Sequence, residues 1–130
     1  METTLIKNHD PWAETPLLLY PMHSRKWGLH REYRVQVPEG PLIVVPAQFV
    51  TDLSSVPRVL WWWAAPHGPY TAAAVVHDWL YASGLYPRRY ADNLFYRHMR
   101  ACGVRRTQAR IKYMGVRTGG WVAWRKHRNR

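Results

Sequence analysis

An alanine-rich apolar run in the second half of the chain restricts the fold more than any other part of the sequence. Residues 72–82 read AAAVVHDWLYA, Thr71 stands before them as a candidate cap, and Ser83-Gly84 follows with Pro87 close behind. An apolar run of this length that ends in Ser-Gly predicts a helix. Its apolar content places that helix inside the core.

Further helices are predicted on either side of this run. One extends from about Arg88 to Cys102, and its short connection to the first makes the two an antiparallel hairpin. A later helix starts at Thr107, and Gly115 and Gly119 in it allow either a close helix approach or a kink. A hydroxyl followed by proline predicts a short helix from Ser54 to about residue 63. The apolar stripe predicted for the late helix consists of Ile111, Met114, Thr118, Trp121 and Val122.

The N-terminal part has the pattern of strands. Apolar and polar residues alternate from Tyr33 to Val37, Pro38-Glu39-Gly40 predicts a turn, and residues 42–45 are all apolar. The sequence therefore predicts an α+β protein, with a small N-terminal antiparallel sheet or hairpin packed on a C-terminal bundle of three to four helices. We expect one domain over 1–130, with a β-rich part over 1–52, a helical part over 53–126 and a basic tail over 127–130.

Composition excludes several classes of protein. In 130 residues, 47% hydrophobic residues with eight Trp and eight Tyr are enough to form a core, so the chain is not a disordered basic tail. The single cysteine, Cys102, excludes a disulfide framework and a cysteine-based zinc site, and it suggests a reducing compartment. Neither a signal peptide nor a membrane-spanning segment is predicted.

Basic residues are concentrated in the second half of the chain. Residues 1–65 carry no net charge, and residues 66–130 account for the whole formal charge of +11, with no carboxylate after Asp92. A basic region of this kind indicates contact with an anionic partner, or else a solvated face that maintains solubility. The candidate anion-binding residues are Arg105, Arg106, Arg110, Lys112 and Arg117.

Tryptophans are the candidate interface residues. Three are consecutive, and neighbours on a helix point about 100° apart, so they cannot all face one core. They either form a binding surface or pack beneath a neighbouring loop. The candidate interface consists of Trp61, Trp62, Trp63, Trp121 and Trp124.

The most specific motif is His77-Asp78 with Tyr81, followed by Asp92 on the antiparallel partner helix. His77 and Tyr81 share a helix face, and Asp92 returns alongside them. An imidazole held by a carboxylate is oriented as a general base, so His77, Asp92 and Tyr81 are the candidate catalytic residues. Asp78 and Asp52 are the candidate metal ligands.

A structural role for the same residues is also open. Asp92 lies in the first turns of its helix, where the helix dipole stabilises a carboxylate, and Asp52 can close an Asx turn. A buried pair of His77 with Asp92, or of Arg58 with Asp78, can simply satisfy the hydrogen bonds of the core.

Three ordered motifs resemble a domain-of-unknown-function family of phage and prophage proteins. They are VPAQFVTDLSSVPR, AAAVVHDWLY and the downstream Ala91-Asp92. The family pattern has Gly where this chain has Gln48 and Ala where it has Ser54. The resemblance implies a phage origin and brings no established activity.

The predicted helix hairpin is also similar to the catalytic helices of the secreted phospholipase A2 superfamily. The resemblance implies that His77 activates water, that Asp78 binds calcium and that Asp92 orients the histidine. Calcium takes six to eight oxygens, so Asp52 and neighbouring backbone groups would have to complete the site.

These observations favour a small basic virion component, of the tail, baseplate or neck, that docks on other phage proteins. The alternative is a metal-dependent His/Asp hydrolase, phospholipase A2-like or wall-degrading, which acts on anionic lipid or wall polymer of the host envelope. A nucleic-acid binder is a third hypothesis, although no motif predicts sequence-specific reading. We expect synthesis in the host cytoplasm and location in the virion. No cofactor is certain, and calcium and zinc are the candidates.

Overall fold

The computed structural model describes residues 4–5, 10–22, 26–51 and 69–129. Its N-terminal half is a set of short strands, and the polypeptide then forms three helices. The strands are β1 (Thr4–Leu5), β2 (Leu18–Pro21), β3 (Trp27–Leu29), β4 (Tyr33–Gln36), β5 (Leu42–Val45) and β6 (Val50–Thr51). The helices are α1 (Thr71–Ser83), α2 (Arg88–Ala101) and α3 (Arg106–Arg128). The predicted α+β class is thereby confirmed.

The strands form two small antiparallel sheets. One has the order β1-β2-β3-β6, and the other is the β4-β5 hairpin, in which Tyr33 pairs with Val45 and Gln36 with Leu42. The hairpin is the one predicted from alternation, because Tyr33, Val35 and Val37 are all buried. Its turn holds Glu39 at a positive φ of 55°.

Helix α1 is the centre of the fold. It contacts β5, β6 and both other helices. Its buried residues are Thr71, Ala72, Ala73, Ala74, Val75, Val76, His77, Leu80 and Tyr81. Because the helix is apolar, it is stabilised by burial in the core. Its small alanine side chains let the neighbouring elements approach closely. Thr71 is its first residue rather than the predicted cap, since Tyr70 precedes it as the N-cap.

Helix α3 turns a different face inward from the one predicted. Its buried residues are Ala109, Lys112 and Val116, whereas Met114, Trp121 and Val122 of the predicted stripe are exposed. The aliphatic stem of Lys112 can be buried because its ammonium group lies 4.6 Å from the centre of the Tyr70 ring. The helix also continues through residues 127 and 128, beyond the start of the predicted tail.

Two neighbouring glycines of α3 give a sharp test of this packing. A Cβ at Gly120 would lie 2.5 Å from the Tyr81 hydroxyl oxygen, whereas a Cβ at Gly119 would meet no described atom within 4 Å. The close approach thus occurs at Gly120, one residue after the predicted Gly119. We expect Gly120→Ala to lower the free energy of unfolding by about 1–3 kcal/mol, because it overpacks a tight contact. Gly119→Ala should raise it by up to about 1 kcal/mol, because alanine favours the helix.

Chemical denaturation of both variants measures this difference. The two substitutions are chemically identical and adjacent, so their opposite signs can come only from the packing against Tyr81. Equal effects in the two variants would contradict the described position of α3 against α1.

Candidate active site

The structure brings His77, Tyr81 and Asp92 together between α1 and α2. His77 and Tyr81 lie one turn apart on α1, and Asp92 faces them from α2. His77 Nε2 is 2.7 Å from Asp92 Oδ1, and the Tyr81 hydroxyl donates to the same oxygen at 2.7 Å. The side chains of His77 and Asp92 are 1% and 0% exposed. The helix hairpin therefore builds a fully buried histidine–carboxylate pair with a phenol as its second donor.

Two arginines surround the other oxygen of the carboxylate. Arg117 of α3 donates from Nη1 to Asp92 Oδ2 at 2.7 Å, and Arg88 Nε lies 3.8 Å from the same atom. Arg88 also donates to the Tyr81 hydroxyl and to the carbonyls of Val116 and Arg117. All three helices thus meet at Asp92, whose charge is compensated.

The surroundings determine which groups carry protons. Burial by itself would raise the pKa of Asp92, but hydrogen bonds from His77, Tyr81 and Arg117 outweigh burial and hold that pKa below its usual value. Asp92 is therefore ionised at neutral pH and can only accept. Burial lowers the pKa of His77, and the contact with Asp92 opposes this shift without cancelling it. His77 is accordingly neutral, with the proton on Nε2.

The remaining nitrogen of His77 carries a lone pair. Nδ1 is buried and has no hydrogen-bond partner among the residues that the structure describes. The ring is held in place by Tyr81 and Phe95, whose ring centres lie 4.4 Å and 4.6 Å away. An oriented neutral imidazole with an unsatisfied Nδ1 has the electronic state that a general base requires.

Asp78 lies apart from this network. Its Oδ2 accepts a hydrogen bond from the Thr51 hydroxyl at 2.6 Å, which links the end of β6 to α1. Asp52, the other candidate ligand, falls outside the described residues. One carboxylate does not provide the six to eight oxygens that calcium takes, so the described part of the site does not fit calcium by itself.

A second buried histidine–carboxylate pair lies at the opposite end of α2. His98 Nε2 is 2.8 Å from Asp10 Oδ2, the Tyr33 hydroxyl donates to the same oxygen at 2.5 Å, and Trp12 stacks on His98. Cys102 hydrogen-bonds to Asp10, and burial raises the pKa of its thiol to about 12. This cluster fastens the N-terminal segment to the helices.

Within the described ranges, three side chains that could together hold a metal ion occur in one place, the second cluster. The ligand atoms of Asp10, His98 and Cys102 lie within 4.8 Å of one another, and zinc accepts all three types. Sequence reasoning missed this group because Asp10 and His98 are 88 residues apart. The single cysteine had indicated that no cysteine-based zinc site could form.

The predicted anion-binding residues do not form one surface. Arg105, Arg106 and Arg110 are exposed, but Lys112 is buried and Arg117 is bound to Asp92. Burial lowers the pKa of Lys112. The prediction assigned all five basic side chains to contact with an anionic partner, whereas two of them face the core.

The predicted interface tryptophans also separate. Trp121 is 48% exposed, whereas Trp124 is half-buried and packs edge-on against Tyr81 at 5.3 Å between ring centres. Arg128 lies over the Trp124 ring at 4.4 Å. The consecutive Trp61, Trp62 and Trp63 lie outside the described residues. Only Trp121 is therefore placed as an exposed surface residue.

Comparison with known protein families identifies a family that covers most of the chain. The family model described as a protein of unknown function (DUF1353) matches residues 27–116. No curated protein and no solved structure matches the chain significantly. No described helix has a stretch long and apolar enough to cross a membrane. The prediction of a family of unknown function is confirmed, and a phage origin stays a prediction. Since the matched region spans β3 to the middle of α3 and includes His77, Tyr81 and Asp92, this chain belongs to the DUF1353 family.

Proposed function

We propose that this protein hydrolyses carboxylic ester bonds of anionic phospholipids, with His77 as the general base. The observation that carries the proposal is the pairing of His77 Nε2 with an ionised Asp92 at 2.7 Å while Nδ1 has no described partner. An unpaired buried acceptor is costly, and the described residues contain two, Nδ1 of His77 and Nδ1 of His98. His77 is favoured as the base because both members of its pair lie in the region that the family model matches, whereas Asp10, the partner of His98, lies outside it. An unsatisfied Nδ1 is explained if water binds there during a reaction.

The reaction follows from this tautomer. Nδ1 takes a proton from water, the resulting hydroxide attacks the ester carbonyl carbon, and the positive charge that forms on His77 is stabilised by Asp92. When the carbon–oxygen bond to the alcohol breaks, Nδ1–H returns the proton to the leaving oxygen. Tyr81 and Arg117 keep Asp92 fixed and ionised throughout. Because His77 is 1% exposed, the proposed reaction requires a rearrangement that admits water and substrate to Nδ1.

The net positive charge of the protein favours an anionic lipid as the substrate. The formal charge of +11 attracts the protein to negative surfaces, and Arg105, Arg106 and Arg110 are exposed at the start of α3. Calcium or zinc stays a candidate cofactor, with Asp78 and Asp52 as candidate ligands. Since the described donors do not complete a metal site, the steps above pass through no metal.

The experiment is a vesicle assay with the full chain. Phosphatidylglycerol vesicles are incubated with the protein in calcium, in zinc and in chelator, and the released fatty acid and lysophospholipid are measured by mass spectrometry. We expect release that is proportional to protein concentration and slower from uncharged phosphatidylcholine vesicles. The absence of release under all three conditions would contradict the proposal.

The outer face of α3 favours a second candidate function, that of a virion component. Met114, Trp121 and Val122 are exposed at 57%, 48% and 55%, and the Arg125 guanidinium lies 5.7 Å from the centre of the Trp121 ring. Exposed apolar side chains along one helix are typical of a docking surface. On this candidate, the protein is made in the host cytoplasm and assembles with other phage proteins in the tail, baseplate or neck. Mass spectrometry of purified particles tests it, and absence of the chain from them would exclude it.

A further inference from the structure

A groove on the outer surface between α2 and α3 is separate from the His77 network. Its volume is about 560 Å³, which lies in the range of small-ligand sites, about 300–1,000 Å³. The groove is lined from α2 by Asn93, Tyr96 and Arg97, and from α3 by Arg110, Tyr113 and Met114. None of these residues takes part in the network around Asp92.

Two tyrosines give the groove an aromatic lining. The rings of Tyr96 and Tyr113 lie 5.9 Å apart between centres, at 73° to each other, and both are half-buried. The Tyr113 hydroxyl donates to Asn93 Oδ1 at 2.8 Å, which fixes the ring. This bond uses the amide oxygen of Asn93 and leaves its NH₂ group as a donor. The groove therefore offers two planar surfaces beside a hydrogen-bond donor.

The arginines of the groove are not neutralised. Arg97 and Arg110 belong to different helices and are both exposed, and no described carboxylate lies within 4.0 Å of either guanidinium. No acidic residue follows Asp92 in the chain, so α3 contributes positive charge alone. Arg106 lies one turn before Arg110 and extends the positive charge along the helix.

A groove that combines unpaired arginines with half-buried tyrosine rings fits one class of partner best. A single nucleic-acid strand presents both phosphates and unstacked bases, and proteins that bind such strands combine basic grooves with aromatic side chains. An acidic peptide would use the arginines without the rings, and a duplex keeps its bases stacked inside. Among the described residues that line the groove, Met114 is the one without an aromatic ring, a charge or an amide, which does not favour a lipid tail.

We infer that the groove between α2 and α3 binds single-stranded nucleic acid without sequence preference, through phosphates on Arg97 and Arg110 and a base stacked on Tyr113. Binding of this kind is independent of ester hydrolysis. His77→Gln, which removes the proposed base of the hydrolysis, should therefore leave oligonucleotide binding unchanged.

Fluorescence anisotropy with a labelled oligothymidylate tests the inference. The variant R97Q/R110Q should weaken binding at least tenfold. In a series of salt concentrations, the slope of log K against log salt should become smaller by about 1.4, or about 0.7 for each lost phosphate contact. The control R89Q/R125Q removes the same charge from exposed positions outside the groove and should keep affinity within about threefold.

A third variant separates stacking from charge. Tyr113→Leu should weaken binding roughly tenfold with an unchanged salt slope, since stacking on an aromatic ring contributes to each bound base. Equal loss of affinity in the two charge variants would overturn the inference in favour of net charge alone. Unchanged binding by Tyr113→Leu, or equal competition by polyglutamate, would overturn it in favour of an acidic peptide.

Discussion

Asp92→Ala is expected to lower the free energy of unfolding by about 3–5 kcal/mol, the usual cost of removing one partner of a buried ion pair. The carboxylate is completely buried and receives hydrogen bonds from His77, Tyr81 and Arg117. Alanine leaves these donors without an acceptor and leaves the arginine charge uncompensated. Because a domain of this size is typically stable by about 5–15 kcal/mol, this one substitution removes a large share of its stability.

Urea denaturation measures the change, and Glu14→Ala is the matched control. Glu14 is also paired with an arginine, Arg34, but the pair is exposed and its N–O distance is 3.6 Å. Exposed pairs contribute about 0–1 kcal/mol, so the control should unfold close to the wild type. If Asp92→Ala were no less stable than Glu14→Ala, the described network would be wrong.

The same variant has a defined pH dependence. The pKa of Asp92 in the folded protein lies below its ordinary value of 3.8. Above pH 3.8, the ionised carboxylate therefore makes its full contribution to the free energy of unfolding. The contribution is lost as the pH falls through the folded pKa. The difference in stability between the wild type and Asp92→Ala should therefore be constant near neutral pH and decrease below about pH 4.

His77→Gln is expected to reduce ester hydrolysis by about 10²–10⁴-fold, the usual contribution of a general base. Glutamine keeps an N–H group that can donate to Asp92, but its amide cannot accept a proton from water. The variant should therefore fold, and the rate should decrease because the base at Nδ1 is missing. Initial rates on phosphatidylglycerol vesicles measure the effect.

The buried histidine of α2 provides the matched control. His98 is also 1% exposed and is also paired with a carboxylate, Asp10, at 2.8 Å. His98→Gln perturbs the core in the same way but changes no group of the proposed site. We expect it to keep the wild-type rate per folded molecule. If both variants lost activity equally, the effect of His77→Gln would be one of folding.

Local patterns predicted the elements that build the site. Ser83-Gly84 and Pro87 indicated a tight connection between α1 and α2, and that connection alone brings Asp92 beside His77. Gly84 has the positive φ of 66° that ends a helix in the left-handed conformation. Short-range rules are sufficient here because the two helices are consecutive in the chain.

Contacts between distant segments could not be predicted in the same way. Nothing near Asp10 indicates that its partner is His98, since the pairing depends on how the N-terminal segment crosses the helices. The inward face of α3 was also misjudged. Apolar periodicity favoured Met114 and Trp121, whereas the close approach at Gly120 and the Tyr70 ring beneath Lys112 turn another face toward α1.

The central claim is that Asp92 holds His77 as a neutral imidazole with a bare Nδ1, and nitrogen NMR of the histidine side chains tests it most directly. At pH 7 we expect the His77 proton on Nε2 and an unprotonated Nδ1. This state should persist below pH 6.5, because burial lowers the pKa of His77 from that value. A proton on Nδ1, or a doubly protonated ring at pH 7, would contradict the assignment of His77 as a general base.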